Sequence, residues 1–266
     1  MNVDQPGARA SGVRRFDITD RTALVTGSSR GLGYALARAL LEAGARVAIH
    51  GRNEPQVRES AERLAAETGG VTRPALFDVT DDQAVDRGVA DLESAWGTPD
   101  ILVNNAGLQR RAPVTEFLVE DWHALVGTNL TSAFLMSRRV ARGMVKRGSG
   151  KIINIASVQS LLARPSIAAY SATKGGIVML TKGLCADLAP SGIQVNAIAP
   201  GYFATQLTRA LVDDEEFSDW VRTRTPAGRW GHGEDLAGAL LYLASDASAF
   251  VNGQTLYVDG GLTAVI

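Results

Sequence analysis

Short apolar segments alternate with helical segments along almost the whole of this sequence, and this order constrains the fold more than any other feature. The apolar segments are rich in aliphatic residues and lie at 22–27, 46–51, 73–81, 100–107, 150–157, 193–201 and 254–261. Strands that alternate with helices form parallel βαβ units joined by right-handed crossovers. We therefore predict an α/β fold in which a doubly wound, seven-stranded parallel sheet carries helices on both faces.

The segments between the predicted strands have the helical period. Helices are expected over 31–45, 54–70, 82–97 and 116–146, and around the segment YSATK at 170–174. Because no linker, repeat or low-complexity block divides the chain, we predict one domain over residues 16–266. Residues 1–15 are interpreted as a flexible polar tail. Residues 202–235 break the alternation and are interpreted as an excursion from it.

Composition and charge exclude several classes of protein. The 266-residue chain is 45% hydrophobic and 21% charged, with a formal net charge of −1. This charge gives no support for binding nucleic acid or an anionic membrane. No apolar run reaches the roughly 18 residues that a membrane-spanning helix needs, and residues 1–15 lack the apolar core of a signal peptide. The only cysteine, Cys185, is interpreted as a small buried hydrophobe, and we expect a cytoplasmic protein.

A glycine-rich loop joins the first predicted strand to the first predicted helix. The sequence TGSSRGLG places Gly27, Gly31 and Gly33 in that strand–turn–helix context. Glycines there let the backbone approach a pyrophosphate, which is held at the N-terminus of the following helix. The motif predicts a dinucleotide site, although a tight turn without a ligand could use the same residues.

The end of the second strand indicates which dinucleotide is bound. In this kind of fold an acidic residue about 20 positions after the glycine loop contacts the adenosine ribose, but the segment from His50 to Asn53 contains no carboxylate. Arg30 in the loop and Arg52 at the strand end offer two guanidinium groups, which suit a 2′-phosphate. We expect NADP(H); the alternative is that both arginines are solvated surface charges.

Tyr170 and Lys174 stand four residues apart, so a helix would place them on one face. The alternative is an amphipathic helix whose lysine extends to water. Ser157 ends the fifth strand, at the carboxyl edge where open α/β sheets bind ligands, and the segment NNAG (104–107) ends the fourth strand at the same edge. Asn129 lies in the long helix between these strands. These residues are candidates for one site.

With these residues in this order, the chain resembles the short-chain dehydrogenase/reductase family from about residue 17 to its end. The matching motifs are TGSSRGLG, NNAG, Asn129, Ser157, YSATK and the PG pair at 200–201. The resemblance implies a Rossmann-type fold, in which Asn129, Ser157, Tyr170 and Lys174 form a catalytic tetrad.

In the chemistry that this resemblance implies, Tyr170 is the base in alcohol oxidation and the acid in carbonyl reduction. A free phenol has a pKa near ~10 and is a poor base at neutral pH. We therefore expect the Lys174 ammonium and the nicotinamide charge to lower that pKa. Ser157 would hydrogen-bond the substrate oxygen. The resemblance further implies that Lys174 holds the nicotinamide ribose and that Asn129 positions a water in the proton relay.

Further cofactor contacts follow from the same resemblance. Asp78 matches the residue that meets the adenine, although it could instead cap the following helix. Asn105 is expected to brace the sheet, and Thr205 to cap the nicotinamide carboxamide and the pyrophosphate. We assign no metal ligand. The expected cofactor contacts are Gly27, Ser29, Arg30, Gly31, Leu32, Gly33, Arg52, Asp78, Val79, Asn105, Ala106, Gly107, Tyr170, Lys174, Pro200, Gly201 and Thr205.

Three stretches narrow the resemblance: NNAGLQRR, IASVQS, and RTPAGRWG followed by FVNGQTLYVDGG. Within the family they are most similar to the gluconate 5-dehydrogenases, which implies interconversion of D-gluconate and 5-dehydro-D-gluconate. One rival is a 3-oxoacyl-thioester reductase, which needs an apolar channel and a basic exterior patch. Others are a different polyol or sugar dehydrogenase and a nucleotide sensor without turnover. A sensor could lose Tyr170 or Lys174, and both are present.

A sugar acid needs a cation for its carboxylate and polar groups for its hydroxyls. Arg110, Arg111 and Arg164 lie in segments at the carboxyl edge of the sheet, although each could form a surface or subunit salt bridge. We favour Arg111 as the carboxylate anchor, with the other two as alternatives, and expect Tyr202 and Trp230 as pocket walls. The predicted substrate contacts are Arg111, Ser157, Gln159 (to a hydroxyl), Arg164, Tyr170 and Tyr202.

We also expect a homotetramer. The family pairs the long helix and the YSATK helix across a two-fold axis, and both helices carry more apolar surface than one sheet face can cover. The C-terminal segment VDGGLTAVI is apolar to its last residue, which suits burial in a second interface.

Overall fold

The computed structural model describes residues 12–266 and contains a parallel β-sheet with the strand order β3-β2-β1-β4-β5-β6-β7. Every neighbouring pair of strands runs parallel. The prediction of a doubly wound, seven-stranded sheet is therefore confirmed. The strands are β1 (Thr22–Val25), β2 (Arg46–Gly51), β3 (Thr72–Leu76), β4 (Ile101–Asn104), β5 (Gly150–Ile155), β6 (Ile193–Pro200) and β7 (Thr255–Val258).

Several strands end earlier than the apolar segments suggested, because the loops at their carboxyl ends begin earlier. β1 stops at Val25, and Gly27 has a φ of 63°, in the left-handed region that glycine adopts without steric cost. β4 stops at Asn104, so that Asn105 and the residues after it leave the sheet. Because the strands end early, the residues after them form the loops that carry the candidate site.

The helices cover the sheet on both sides, and local sequence explains several of their ends. Asn53, Asp81 and Asp214 accept hydrogen bonds from the first turns of α2, α3 and α8, as N-cap residues do. Within residues 12–266, no helix is both long and apolar enough to span a membrane. The α-helices are α1 (Gly31–Glu42), α2 (Glu54–Thr68), α3 (Asp82–Trp96), α4 (Val119–Val126), α5 (Ser132–Arg147), α6 (Ala168–Leu188), α7 (Arg209–Val212), α8 (Glu215–Arg224) and α9 (Ala237–Ala244).

The long helix predicted over 116–146 begins later, at α4, and is interrupted. A π-helical turn, Gly127–Thr131, joins α4 to α5, and Asn129 lies in the middle of it. Turns of this kind are often found at functional sites. Hydrophobic periodicity alone does not reveal such a turn, because the chain keeps a helical course on both sides of it.

Successive residues of β1 belong to different layers of the hydrophobic core. Ala23 and Val25 pack in the cluster that includes residues of α1, α2 and α9, whereas Leu24 packs in the cluster that includes residues of α3 and α5. All three are buried. Since both faces of the sheet are covered, its strands are continuously apolar rather than alternating in polarity.

The strand order reverses at β1, and this places the ligand site of such a sheet. From β1 the chain builds outwards to β2 and β3 on one side and to β4 through β7 on the other. A crevice opens at the carboxyl ends of the strands where the direction changes. The predicted excursion, residues 202–235, holds α7 and α8 and follows β6 at this same edge.

The predicted tail, residues 1–15, lies largely outside the part of the chain that the structure describes. Its last residues belong to a short 3₁₀-helix, Gly12–Phe16. The Arg15 guanidinium donates a hydrogen bond to the carbonyl oxygen of Asp246 at 3.0 Å. This contact joins the start of the described chain to the turn that follows α9.

Candidate active site

A cleft of about 700 Å³ opens at the carboxyl edge of the sheet. The loops that follow β1 to β6 line it, together with one side of α6. Every cofactor contact expected from the sequence lines this cleft, from the glycine loop at one end to Tyr170 and Lys174 at the other. The fold therefore gathers residues that are far apart in the sequence around one space.

The glycine loop has a conformation that larger residues would not allow. Gly31 has a φ of 58°, and a Cβ on Gly33 would overlap the Gly27 carbonyl oxygen and the side-chain nitrogen of Asn105. Gly31 also begins α1. The free N–H groups of that helix's first turn thus lie beside the cleft, where they can bind an anionic group.

Asn105 holds the glycine loop against the end of β4. Its Nδ2 donates to the carbonyl oxygens of Thr26 and Gly27 at 2.9 and 3.1 Å. Its backbone N–H donates to the Thr26 hydroxyl at 2.9 Å. These bonds connect the chain after β1 to the chain after β4, so the two loops form one wall of the cleft.

The two arginines expected at a 2′-phosphate both line the cleft. Arg52 Nη1 forms a salt bridge with Asp78 Oδ2 at 3.1 Å, while 74% of the Arg52 side chain remains exposed. Arg30 precedes α1 and is also exposed. Exposed guanidinium groups beside a cleft can rearrange to meet a phosphate with several hydrogen bonds.

Asp78 does not cap α3, which was the alternative interpretation of this residue. Asp81 is the cap, and its carboxylate accepts from the Ala84 N–H at 2.9 Å. Asp78 Oδ1 instead accepts from the N–H and the hydroxyl of Thr80 at 2.9 and 2.7 Å. Burial raises the pKa of Asp78, but hydrogen bonds from Thr80 and Arg52 outweigh it and lower that pKa overall. The cleft therefore holds an ionised carboxylate here at neutral pH.

Tyr170 and Lys174 share one face of α6 at the other end of the cleft. Lys174 Nζ lies 5.7 Å from the centre of the Tyr170 ring. It donates to the carbonyl oxygen of Ile155, the last residue of β5, at 2.7 Å. Only 6% of Lys174 is exposed, so this lysine does not extend to bulk water, and burial lowers its pKa to about 8.

The pKa of the Tyr170 phenol lies above its ordinary value. Burial raises it, whereas the Ser157 hydroxyl and the positive charge of Arg111 act in the opposite direction. Desolvation dominates because the phenol is buried, and the Arg111 guanidinium is a cation that favours the phenolate. The lowering of this pKa expected from Lys174 together with the nicotinamide charge stays a prediction.

Ser157 does not end β5 as predicted but lies two residues beyond its last residue, Ile155, and is 8% exposed. Its hydroxyl oxygen accepts from the backbone N–H of Gln159 at 3.2 Å, which caps a short 3₁₀-helix, Val158–Ser160. Since the same hydroxyl acts on the pKa of Tyr170, the two hydroxyl groups lie close together. A substrate oxygen placed between them could contact both.

Asn129 lies behind the cleft rather than in it. Its Nδ2 donates to the carbonyl oxygen of Leu108 at 2.9 Å and to the Thr173 hydroxyl at 3.3 Å, and its Oδ1 accepts from the Leu108 N–H at 2.8 Å. Its neighbour Thr128 lines the cleft. The side chain of Asn129 thus ties the loop after β4 to α6, and its part in a proton relay stays a prediction.

Two of the three arginines considered for the substrate carboxylate reach the cleft. Arg111 and Arg164 line it; burial, followed by repulsion from Arg164, lowers the pKa of Arg111. The polar contact of Arg111 with Gln109 Oε1 is long, at 3.5 Å. Arg110 does not line the cleft and forms a salt bridge with Asp121 at 3.2 Å. Arg110 is therefore engaged elsewhere.

Tyr202 connects the cleft to a cluster of aromatic side chains around α8. The rings of Phe217, Trp220 and Trp230 each meet the Tyr202 ring edge-on, at centroid distances of 5.7, 5.6 and 5.8 Å. Trp230 is 6% exposed and does not line the cleft. The prediction that Trp230 walls the pocket is wrong, because its indole N–H donates to the Ser218 hydroxyl at 3.2 Å and its ring supports Tyr202 from behind.

Gln159 lines the cleft two residues after Ser157. Its Nε2 donates to the Tyr202 hydroxyl at 3.5 Å, while its buried Oε1 has no hydrogen-bond partner in the described part of the chain. A buried amide oxygen without a partner is unfavourable. A hydroxyl group on a substrate could provide the missing donor.

Comparison with known proteins agrees with this geometry. A family model described as enoyl-(acyl carrier protein) reductase matches residues 27–263. The chain belongs to the short-chain dehydrogenase/reductase family. Within it, the gluconate 5-dehydrogenase of Gluconobacter oxydans (strain 621H) is 53% identical over 248 residues, which cover 93% of this chain and 96% of the relative. The 5-keto-D-gluconate 5-reductase of Escherichia coli (strain K12) is 45% identical over 251 residues, which cover 94% and 98%.

A solved structure of another short-chain dehydrogenase/reductase shares the whole fold. It is a gluconate 5-dehydrogenase from Burkholderia cenocepacia J2315 in complex with NADP and tartrate. Its chain is 56% identical to this one and aligns with a TM-score of 0.92, covering 95% of this chain and 98% of its own. The Rossmann-type fold expected from the resemblance is confirmed.

Sequence reasoning missed several residues that line the cleft of this family member. His50, Thr80 and Gln109 are among them. A polar residue inside an otherwise apolar strand is a signal that could have identified His50, whereas the two loop residues carry none, because their positions depend on the folded loops. Among residues 12–266, no group of three or more His, Cys, Asp or Glu side chains could hold a metal ion.

Proposed function

We propose that this protein interconverts D-gluconate and 5-dehydro-D-gluconate, with NADP(H) as the hydride carrier. The observation that carries the proposal is one cleft that combines the hydroxyls of Tyr170 and Ser157 with the cations of Arg111 and Arg164. This arrangement suits an alcohol that also bears a carboxylate. The similarity to a gluconate 5-dehydrogenase and to a 5-keto-D-gluconate 5-reductase over nearly the whole chain supports that choice of substrate.

Tyr170 moves the proton in either direction. It removes the proton of the C5 hydroxyl in oxidation and returns one to the C5 oxygen in reduction. Burial raises the pKa of Tyr170, so positive charge near the phenol matters most when it must act as a base; Arg111 supplies part of that charge. Ser157 donates to the same substrate oxygen and stabilises its developing negative charge. NADP, when bound, exchanges hydride with C5.

The cofactor would lie along the cleft in a fixed direction. The N-terminus of α1 would hold the pyrophosphate, Arg30 and Arg52 would hold the 2′-phosphate, and Lys174 would hold the nicotinamide ribose. Asp78, which pairs with Arg52 at 3.1 Å, would lie beside the adenine. In this order the loop after β4 and Ser157 would flank the nicotinamide.

Cofactor preference tests the role of Arg52. Arg52→Asp should shift the ratio of kcat/KM for NADP⁺ over NAD⁺ toward NAD⁺ by about tenfold or more, because a new carboxylate repels a 2′-phosphate and can accept from a ribose hydroxyl. Arg58→Asp is the matched control, since Arg58 pairs with Glu54 on α2 and does not line the cleft. Faster turnover of the unaltered protein with NAD⁺ than with NADP⁺ would contradict the NADP(H) assignment.

The substrate carboxylate would bind Arg111. C5 of gluconate must lie beside Tyr170, and C1 is then four bonds away along the chain, within reach of a long side chain on the loop after β4. Arg111 lies in that loop and lines the cleft, and among residues 12–266 its only polar side-chain contact is the long one to Gln109. Arg164 is the second candidate, because it also lines the cleft. The excursion at 202–235 would close the substrate end through Tyr202.

A turnover panel tests the substrate assignment. The purified protein is assayed with D-gluconate, 5-dehydro-D-gluconate, other polyols and 3-oxoacyl thioesters, each with both nicotinamide cofactors. We expect the highest kcat/KM for the gluconate pair. Preferred reduction of 3-oxoacyl thioesters would contradict the proposal, and so would binding of NADP(H) without turnover of any substrate. The cations and the buried amide oxygen of Gln159 are unfavourable surroundings for an acyl chain.

We further propose that the protein is a homotetramer. An apolar groove lies along α5 and α6. Phe134 and Val145 on α5 are 45% and 44% exposed, and Met179 on α6 is 63% exposed; burial of such side chains against a second copy would stabilise a dimer, and the exposed C-terminal Ile266 would serve a second contact. Light scattering at micromolar concentration should give the tetramer mass. A monomer mass would contradict the assignment.

The protein is also proposed to act in the cytoplasm, as one dehydrogenase domain over residues 16–266. A chain whose only cysteine is Cys185 needs no oxidising compartment for its fold. Cell fractionation that followed the NADP⁺-dependent activity should find it with the cytoplasmic fraction. Recovery of that activity in another fraction would contradict this assignment.

A further inference from the structure

His50 is a buried imidazole that bridges two loops of the cofactor end of the cleft. It lies in β2, is 2% exposed and contributes to the cleft lining. Its Nδ1 is 3.1 Å from the backbone nitrogen of Gly27, and its Nε2 is 3.0 Å from the carbonyl oxygen of Phe77. The imidazole also packs on the Phe77 ring, with 4.4 Å between centroids.

The partners of His50 fix its protonation state. A backbone N–H can only donate, so Nδ1 must carry a lone pair and accept from Gly27. A carbonyl oxygen can only accept, so Nε2 must carry the proton and donate to Phe77. The ring is therefore neutral, in one tautomer. Burial, which outweighs the hydrogen bond to Phe77 and the charge of Asp78, lowers the pKa of His50 to about 4 and keeps it neutral.

The two loops joined by this ring belong to different parts of the dinucleotide site. Gly27 opens the glycine loop beside α1, whereas Phe77 immediately precedes Asp78, whose carboxylate pairs with Arg52 at 3.1 Å. The backbone of His50 is fixed as well, because its N–H donates to the Ser28 hydroxyl at 2.9 Å and its carbonyl oxygen accepts from the Ser28 N–H at 3.0 Å. The ring cannot shift without breaking the turn.

Loss of the imidazole would leave polar backbone groups without partners. The Gly27 N–H and the Phe77 carbonyl oxygen both meet a ring that is almost completely buried. A side chain without hydrogen-bonding atoms would leave a donor and an acceptor unpaired, and each such group is unfavourable in a buried site. The glycine loop would then relax away from the spacing that the imidazole sets.

We propose that His50 is a positioning residue for the dinucleotide. Its Nδ1 holds the Gly27 N–H and so sets the position of the glycine loop that meets the pyrophosphate of NADP(H), while its bond to Phe77 fixes the tautomer in which Nδ1 can accept. It contacts no substrate and takes no part in proton transfer. The inference rests on the proposed cofactor site, but not on the choice of gluconate as the substrate.

Three substitutions distinguish this role from a purely structural one. One removes the bonds to both Gly27 and Phe77, and the other two each keep one of these bonds. His50→Phe keeps an aromatic ring against Phe77 but has no hydrogen-bonding atoms. His50→Asn places an amide oxygen near the position of Nδ1 and keeps an acceptor for Gly27. His50→Gln can extend a donor toward Phe77 but leaves the Gly27 N–H unpaired.

The readout is the Kd of NADPH, measured by fluorescence titration of the full chain, together with KM for NADP⁺, kcat and the thermal midpoint. We expect His50→Phe to raise Kd and KM about tenfold or more, while kcat at saturating NADP⁺ stays within about twofold. His50→Asn should bind NADPH nearly as tightly as the unaltered protein, even if its midpoint falls. His50→Gln should resemble His50→Phe in binding.

Several outcomes would overturn the inference. An unchanged Kd in His50→Phe would do so, as would equal losses of binding in the Asn and Gln variants. A loss of kcat without a rise in KM for NADP⁺ would show that the residue acts elsewhere. If His50→Phe does not fold, the comparison of the Asn and Gln variants decides the question. Absence of NADPH binding by the unaltered protein would instead overturn the proposed cofactor site, which is a distinguishable result.

Discussion

The two ends of strand β5 each bury a lysine, and the two lysines have different surroundings. Lys151 lies near the start of the strand, and Lys174 from α6 reaches its last residue, Ile155. They are 4% and 6% exposed, and burial lowers the pKa of each to about 8. By burial and pKa alone the two residues cannot be told apart.

Their neighbours distinguish them. Lys174 lines the cleft and donates to the Ile155 carbonyl oxygen at 2.7 Å, beside Tyr170. Lys151 does not line the cleft, and its Nζ reaches the Ser248 hydroxyl only at 3.5 Å. A perturbed pKa is therefore an uncertain guide to function. Position at the carboxyl end of the sheet, where the loops form a cleft, is what distinguishes the functional lysine from the structural one.

The largest effect is expected at the carboxyl end, from Tyr170→Phe. The phenol carries the proton of the reaction, whereas the ring packs equally well without its hydroxyl. Turnover in both directions should fall by ~10²–10⁴-fold, while the Kd of NADPH should change little. If the variant retained a tenth of the original rate, Tyr170 would not be the acid/base. The functional distinction between the two ends of β5 would then be weaker.

The two lysines themselves give a matched pair of substitutions. Lys174→Met should lower kcat/KM by about 100-fold or more, because it removes an ammonium from beside Tyr170 and a ligand for the nicotinamide ribose. Lys151→Met should leave kcat/KM within about twofold, because Lys151 lies at the amino end of β5 and does not line the cleft. Steady-state kinetics of both variants under the same conditions measure the contrast. Similar losses in both would contradict it.

Substrate binding separates two neighbouring arginines of the loop after β4. Arg111→Ala should raise KM for gluconate by roughly tenfold to a hundredfold, because it removes a charge-assisted hydrogen bond to the carboxylate. KM for NADP⁺ should change little. Arg110→Ala is the control, since Arg110 is held by Asp121 at 3.2 Å. If Arg110→Ala or Arg164→Ala carried the effect and Arg111→Ala did not, the anchor would be misassigned.

The smallest effect concerns stability at the amino end of β5. The pKa of Lys151 is about 8 in the fold, against an ordinary value of 10.5. Between these pH values the unfolded chain binds more protons, so stability rises with pH in that window; below about pH 8 both states are protonated and the full cost of burial remains. Asp246 offsets part of this cost, while Arg21 and Arg15 add to it.

Lys151→Met should therefore raise the free energy of unfolding at pH 7 by roughly 1–3 kcal/mol. It should also remove the rise in stability between pH 8 and pH 10.5. Denaturant unfolding across this range measures both effects, with Lys182→Met as the control, since Lys182 is exposed on α6. A variant less stable than the original protein at pH 7 would show that the buried ammonium is better satisfied than its contact with Ser248 indicates.

Periodicity and loop composition predicted the sheet, its strand segments and the cofactor end of the cleft, because those depend on short-range patterns. β2 was predicted at its observed bounds, and the glycine loop lies where its motif indicated. The π-helical turn around Asn129 was not predicted, since one extra residue in a helical turn leaves the apolar pattern on both sides intact.

The substrate end was predicted less well, because it depends on contacts between distant segments. Arg110 and Arg111 are neighbours with the same chemistry, and only the position of Asp121 on α4 shows that the first is paired. Trp230 packs behind Tyr202, where its indole N–H donates a hydrogen bond to the Ser218 hydroxyl. No local pattern contains these pairings, whereas a polar residue inside β2 could have drawn attention to His50.

The most direct test of the account is the position at which D-gluconate is oxidised. The protein is incubated with NADP⁺ and ¹³C-labelled D-gluconate, and the product is identified by NMR. The account predicts 5-dehydro-D-gluconate, with the new carbonyl at C5 and an equimolar amount of NADPH. A carbonyl at another carbon, or no product from gluconate while a 3-oxoacyl thioester is reduced, would contradict it.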